Sequence, residues 1–363
     1  MPVIDSDAHV VESEHTWDYM DASDTRYRPE IVYPKNQDAR GRKIGYWYVD
    51  GKLRGLARTV MTDVEFRELS ERAGRAMDTP EEAREMENVG VRLAHMDQLG
   101  IDVQVVYPTA FIEKMAERPE VDVAICKSYN RWLADIWQQS QNRLRWACVL
   151  PLETIPEALD QLRYSHQNGA VAVFMRSIEG NKLLHDPSFY PVFEEAEKLD
   201  MCIGVHIANS NPEMVDLLTQ RTPGGGTFWK FRLASVGEFH SLIMSGVPEQ
   251  FPKLRWGFLE ASAQWLPYVL KDLRRRFAFN GRQWPENVLE AYRLWVSCQT
   301  DDDIEYIAGY VGENHLVIGT DYGHNDQSTE IEALRNLRES GQIQPDLYKK
   351  ITDDNARALY SLN

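Results

Sequence analysis

Cysteine is scarce in this chain. Four stand among 363 residues, Cys126, Cys148, Cys202 and Cys298, widely spaced and never in a C-x-x-C pair. That excludes a disulfide scaffold and leaves no thiolate zinc motif. Reduced, buried thiols of a cytoplasmic protein are the expectation. Long apolar runs are missing as well, since none approaches the ~18 residues that span a bilayer. The opening MPVIDSDAHVV has neither the basic stretch nor the apolar stretch of a signal peptide. Positive charge is in deficit: 40 Lys and Arg face 56 Asp and Glu, a formal charge of −16. Phosphate binding needs clustered cations, so the acidic balance argues against nucleic acid as a partner, and against an anionic membrane surface with it. No internal repeat appears. No G-x-G-x-x-G follows the first apolar run, which argues against a dinucleotide site. A small-molecule partner is compatible with all of these absences.

Apolar material is plentiful, at 43% of residues with 10% aromatic, enough for a large core. It falls into eight short runs rich in Val, Ile, Leu and aromatics: 3–8, 103–107, 146–150, 171–175, 202–207, 254–259, 294–298 and 315–319. Runs of this kind read as strands buried on both faces. Segments of helical period lie between them, such as Pro156–His166, Tyr190–Lys198 and Gln264–Phe279. Eight strands alternating with helices predict a parallel sheet closed into an α/β (β/α)8 barrel of one domain, residues 1–363. An open doubly wound sheet is the alternative. About 90 residues separate the first two runs, far more than one crossover helix needs. Within them Asp50-Gly51 joins two strand-like segments, a hairpin signal. Helices are expected over 64–73 and 81–99. Residues 21–79 read as an insertion that opens on the catalytic face and acts as a lid.

Active sites of such barrels sit at the C-terminal strand ends. The first run ends in Asp5-Ser6-Asp7-Ala8-His9, and alternation puts Asp5, Asp7 and His9 on one face. The fourth ends at Arg176, the fifth at His206, the sixth at Glu260 and the eighth at Asp321. Each has a bland explanation: a helix cap, a solvated turn, a core histidine. Their joint placement favours another, that Asp7, His9, His206 and Asp321 converge on one divalent ion, zinc before manganese. His240 and His324 are further candidates for contact with ligands or substrate. His15, His95, His166, His185 and His315 read as surface or helix residues.

The motifs also carry a resemblance. Val3–His9, Met96–Ile101, the stretch from His185 to His206, Ser245–Leu254, Ile318–Tyr322 and Asp354–Tyr360 together resemble the amidohydrolase-2 branch of the amidohydrolase superfamily, metal-dependent (β/α)8 barrels that include aminocarboxymuconate semialdehyde and γ-resorcylate decarboxylases. The resemblance implies metal ligation by Asp7, His9, His206 and Asp321. Asp7 stands where many members have His or Glu. Glu260 stands where the decarboxylases carry a catalytic His. The resemblance implies a metal-dependent decarboxylase of a small aromatic or cyclic carboxylate, with Asp321 delivering the proton and Arg176 orienting an anionic group. Glu260 is expected to act as acid or base, to hydrogen-bond a ligand or to hold Arg176, and Tyr46, Trp47 and Tyr48 of the insertion are candidates to stack on a ring. The competing expectation is a hydrolase of an amide, ester, lactone or C–C bond, in which the metal activates water. A non-catalytic barrel is the least favoured. A homodimer is expected from base rates.

Overall fold

Each apolar run becomes a parallel strand. We name them β1 (Ile4–His9), β2 (Val103–Tyr107), β3 (Leu144–Cys148), β4 (Ala170–Ile178), β5 (Cys202–Asn209), β6 (Trp256–Phe258), β7 (Leu294–Cys298) and β8 (Leu316–Ile318). In the sheet they stand side by side in chain order. The ring closes where Ala8 bridges Tyr322 in parallel and the His9 amide donates to the Tyr322 carbonyl at 2.8 Å. The result is a (β/α)8 barrel. This computed structural model describes residues 2–35, 43–57, 63–221 and 226–362. Parts of the expected insertion, residues 36–42 and 58–62, lie outside the described residues.

β5 is buried at all eight positions, as expected of a strand covered on both faces. At the N-terminal end the helix Asn355–Tyr360 seals the barrel, and the Tyr360 hydroxyl donates to the Ser6 carbonyl at 2.7 Å. The helices Ile155–Gln167, Tyr190–Lys198 and Leu266–Phe279 follow their expected periodicity. The four cysteines are free and buried. Among the described residues, no helix is long and apolar enough to cross a membrane.

The expected helix over 81–99 is two helices, Glu81–Arg84 and Val89–Leu99. Met86 takes a positive φ of 54° between them, and Asn88 caps the second helix by accepting the Val91 amide. The break has a use. It lets the Arg84 carbonyl accept the Val11 amide and the Arg92 guanidinium reach the His9 carbonyl at 3.2 Å. The end of β1 is thereby pinned.

The segment after β1 forms a three-stranded antiparallel sheet, Glu30–Val32, Tyr46–Val49 and Lys52–Leu56, followed by the helix Asp63–Ala73. Asp50 and Gly51 both have positive φ, 55° and 77°, the geometry of a two-residue hairpin. The Asp50 carboxylate accepts the amides of Glu117 and Arg118, docking the hairpin on the loop after β2. Trp47 packs edge-on against Trp17 and is buried, whereas Tyr48 is exposed.

Candidate metal centre

At the C-terminal mouth the sequence places charged groups on strand ends that the barrel forces together. Asp7 and His9 come from β1, His206 from β5, Glu260 from just beyond β6, and Asp321 and His324 from the turn after β8. All but His324 are buried at 5% exposure or less. His206 Nε2 lies 3.1 Å from His9 Nε2, 3.3 Å from Asp7 Oδ1 and 3.2 Å from Glu260 Oε2. His9 Nε2 lies 3.4 Å from Asp321 Oδ1 and 3.9 Å from Glu260 Oε2. Asp7, His9, His206 and Glu260 each aim one ligand atom into a space 4.8 Å across. So do His9, Glu260, Asp321 and His324.

The neighbours fix these orientations. His9 Nδ1–H donates to the Pro108 carbonyl at 3.2 Å, which leaves Nε2 with its lone pair toward the cluster. Gly319 lies against Asp7: a Cβ there would stand 2.3 Å from the Asp7 Cβ. Asp321 uses both oxygens, Oδ1 toward His324 Nδ1 at 2.7 Å and Oδ2 accepting from Thr329 Oγ1 at 2.7 Å. His324 Nε2 donates to Thr109 Oγ1 at 2.9 Å, and its ring stacks on His9 at 3.8 Å. Glu260 and Asp321 both hold positive φ, 62° and 52°, backbone strain of the kind concentrated at functional sites. Asp5 is turned away from the face it was expected to share. β1 shifts register between Asp5 and Ala8, and the Asp5 carboxylate accepts from Thr320 and Gln104 instead.

Electrostatics follow from burial and crowding. Burial pushes the Glu260 carboxyl well above its usual range, and Asp321, Asp326 and Asp7 add to it. Burial lifts Asp321 to about 6, against the opposing charge of His324. Burial also raises Asp7, but His206 and His9 outweigh it and hold that carboxyl well below normal. Burial and the charge of His324 push His9 down to about 3. Burial opposes charge on His324, yet the carboxylate of Asp321 raises it to about 9. Among the described residues, no Lys or Arg forms an ion pair with Asp7, Glu260 or Asp321. Three buried carboxylates aimed at two imidazole nitrogens, without a resident Lys or Arg, form a donor set that fits a single divalent cation.

Two expected site residues are not brought here. His240 sits on the helix Leu233–Ser245 and pairs with Asp272 at 3.1 Å, so its ring is spent on a neighbouring helix. Arg176 pairs with Glu179 at 2.8 Å and donates to the carbonyls of Phe111 and Glu113. Its fork is filled, and Glu260 faces His206 rather than Arg176. Tyr46, Trp47 and Tyr48 line neither mouth cavity described next. His315 is buried against Trp295 rather than exposed.

Two cavities of about 490 Å³ have linings that adjoin cluster residues, through Phe174, whose ring faces His206, in one and through Ile207 in the other. One lies beside Phe174 and Arg176. The other is lined by Ile207, Phe228, Trp229 and Arg232, by Asp326, and by Leu69 and Ala73 of the insertion helix. Arg232 was missed in the sequence. Among the described residues its side-chain hydrogen bonds go to neutral partners, Ser328 Oγ at 2.9 Å and Gln299 Oε1 at 3.4 Å. The signal was available: Phe228-Trp229-Lys230-Phe231-Arg232 is a π-helical turn with no acid three or four residues from Arg232.

Comparison with known proteins agrees with this geometry. The Amidohydrolase family model matches residues 4–362. A 2-amino-3-carboxymuconate-6-semialdehyde decarboxylase of Dictyostelium discoideum is 24% identical over 244 residues, 64% of this chain and 66% of that protein. The chain thus matches just under two thirds of that relative's length. An amidohydrolase from Mycobacterium avium subsp. paratuberculosis K-10 superposes with a TM-score of 0.77 at 18% identity, covering 100% of this chain and 98% of that one. A 5-carboxyvanillate decarboxylase from Novosphingobium aromaticivorans, in complex with manganese and 4-hydroxy-3-methoxy-5-nitrobenzoic acid, gives 0.63 at 19% identity, covering 83% and 92%. Both structural likenesses concern the fold.

Proposed function

Because the chain belongs to the amidohydrolase family, we propose that it is a metal-dependent, non-oxidative decarboxylase of a small aromatic or cyclic carboxylate. The observation that carries this reading is the meeting of Asp7, His9, His206 and Asp321 with Glu260 at the barrel mouth, in a family whose matched relative is a decarboxylase. Asp7, His9, His206 and Asp321 would hold one divalent ion. Zinc is our first assignment, since it takes imidazole and carboxylate together. Manganese, bound in the 5-carboxyvanillate decarboxylase, is the alternative. Such an ion supplies Lewis acidity and a template for a carboxylate and a neighbouring oxygen.

The rest falls to the protein's own groups. The proton between Asp321 Oδ1 and His324 Nδ1 is delivered to the carbon that loses CO2. Thr329 and Thr109 keep that pair aligned. Arg232 replaces Arg176 as the guanidinium available to an anionic group. Leu69 and Ala73 border the same cavity, which supports a lid role for the insertion. Glu260 faces His206, so we assign the proton transfer to Asp321 and not to Glu260. Free buried thiols fit a cytoplasmic enzyme. A homodimer is the expected assembly.

Glu260, in the place of the decarboxylase histidine, favours one other reading, hydrolysis of a lactone, ester or amide. Hydroxybenzoates and lactones offered to metal-loaded protein, with headspace CO2 detection, separate the two. CO2 from a carboxylated phenol supports decarboxylation. Ring-opened lactone without CO2 supports hydrolysis.

A further inference from the structure

We infer that Glu260 is a direct metal ligand in this chain. The inference rests on the metal-enzyme reading above and goes beyond it, since the ligands so far are Asp7, His9, His206 and Asp321.

The geometry favours Glu260 over a mere neighbour. Glu260 and His9 are the two residues common to both converging donor groups. Asp7, His9 and His206 close on one space with Glu260 as the fourth member, whereas Asp321 closes with His9, Glu260 and His324. Asp321 Oδ2 already accepts from Thr329, and Oδ1 faces His324 Nδ1 at ion-pair distance. Among the described residues, the ion-pair partners of Glu260 Oε2 are the two imidazoles, 3.2 Å from His206 and 3.9 Å from His9.

The nitrogen it contacts is decisive. A carboxylate that orients a metal-bound histidine holds the ring nitrogen remote from the metal. The Pro108 carbonyl plays that part for His9, at Nδ1. Glu260 stands at Nε2 of both rings, on the side where Asp7 and the opposing imidazole also point. His206 Nδ1, where an orienting carboxylate would sit, is buried and has no hydrogen-bond partner among the described residues. The backbone is built to hold this pose. Glu260 takes φ +62°, and its amide donates to Ser297 Oγ at 2.6 Å from the neighbouring strand. A residue kept in the left-handed region to place a carboxylate among two imidazoles is positioned for a cation.

Two consequences follow. The metal site has an extra anionic oxygen donor in place of the strand-six histidine. Asp321 then need not complete the set by itself and keeps its contact with His324 at 2.7 Å.

The test is metal binding, not turnover. Full-length apo-protein is titrated with Zn²⁺ and Mn²⁺ against a chelator, and thermal melting is followed with and without each ion. Wild type is expected to bind one equivalent. Glu260→Gln, which keeps the shape, is expected to bind at least 10-fold more weakly and to lose most of the metal-induced rise in Tm. Glu260→Asp is expected to fall between. Apo Glu260→Gln should melt no lower than apo wild type, since it removes a buried carboxylate. Binding of Glu260→Gln within 2-fold of wild type overturns the assignment and leaves the enzyme reading standing. Wild type that binds neither ion overturns the metal-enzyme reading itself.

Discussion

Asp321 shows how much a single side chain is asked to do. It borders the metal space through His9, takes a bond from Thr329 and faces His324 at 2.7 Å. Asparagine is nearly isosteric but carries no transferable acid proton. Asp321→Asn is therefore expected to keep its metal while turnover falls about 10²-fold or more, the range of a lost general acid. Steady-state kinetics beside metal analysis checks this, and near-wild-type turnover removes Asp321 from the proton transfer. A second residue reports on stability rather than chemistry. Glu238 sits on the helix Leu233–Ser245, accepting the Leu184 amide, and burial pushes its carboxyl up to about 8 from 4.5. In the unfolded chain it ionises near 4.5, and in the folded chain it stays protonated. The folded state therefore binds more protons between those values, and its contribution to stability is lost as pH rises toward 8. Glu238→Gln keeps an acceptor for Leu184 and has nothing to titrate. Its Tm relative to wild type should climb by about 2 °C or more between pH 5 and pH 8. A difference that stays flat with pH would contradict that assignment.

At the scale of elements, the site depends on how β1 lies against β8. The Asp321 amide donates to the Asp7 carbonyl at 2.9 Å, and Gly319 leaves no room for a side chain against Asp7. Gly319→Ala puts a methyl 2.3 Å from the Asp7 Cβ, so one of the strands must shift. A shift near 1 Å is enough to spoil a site held to about 0.5 Å. We expect metal affinity to drop at least 10-fold although residue 319 itself offers the ion no donor atom. Unchanged affinity, with the variant folded by circular dichroism, would show that the strands yield without disturbing Asp7. The strands themselves were legible, because buried parallel strands write continuous apolar runs with Gly, Pro, Asp or Asn at their ends. The hairpin at Asp50-Gly51 was legible from turn chemistry. The break at Met86–Asn88 was not, because the pattern of 81–99 stays helical and the interruption is set by contacts to Val11 and His9. The fates of Arg176 and His240 were not legible either. Glu179 lies three residues from Arg176, yet nothing in sequence says that this pair wins over the mouth, and Asp272 reaches His240 from another helix.

For the whole molecule, the charge of −16 takes on a distribution. Many of the 56 acidic residues sit in surface pairs such as Asp18–Arg28 and Glu195–Arg163, each worth little. The costly part is small and central: Asp7, Glu260 and Asp321, buried around two imidazoles. The approach of Asp7, His9 and His206, with Asp321 beside His9, was legible because the barrel brings strand ends together whatever their distance in sequence. The direction in which Glu260 points was not, since it depends on a left-handed backbone just past β6. The claim that joins fold, site and chemistry is that this barrel removes CO2 from a carboxylated ring by protonating the carbon it leaves. The direct measurement is turnover of 5-carboxyvanillate and 2,6-dihydroxybenzoate in D2O by metal-loaded protein, with CO2 counted in the headspace and the product read by mass spectrometry. The account predicts one CO2 for each substrate consumed, one deuterium on the vacated ring carbon, and loss of both on chelation. Metal-loaded protein that releases no CO2 from these acids while hydrolysing a lactone would contradict it.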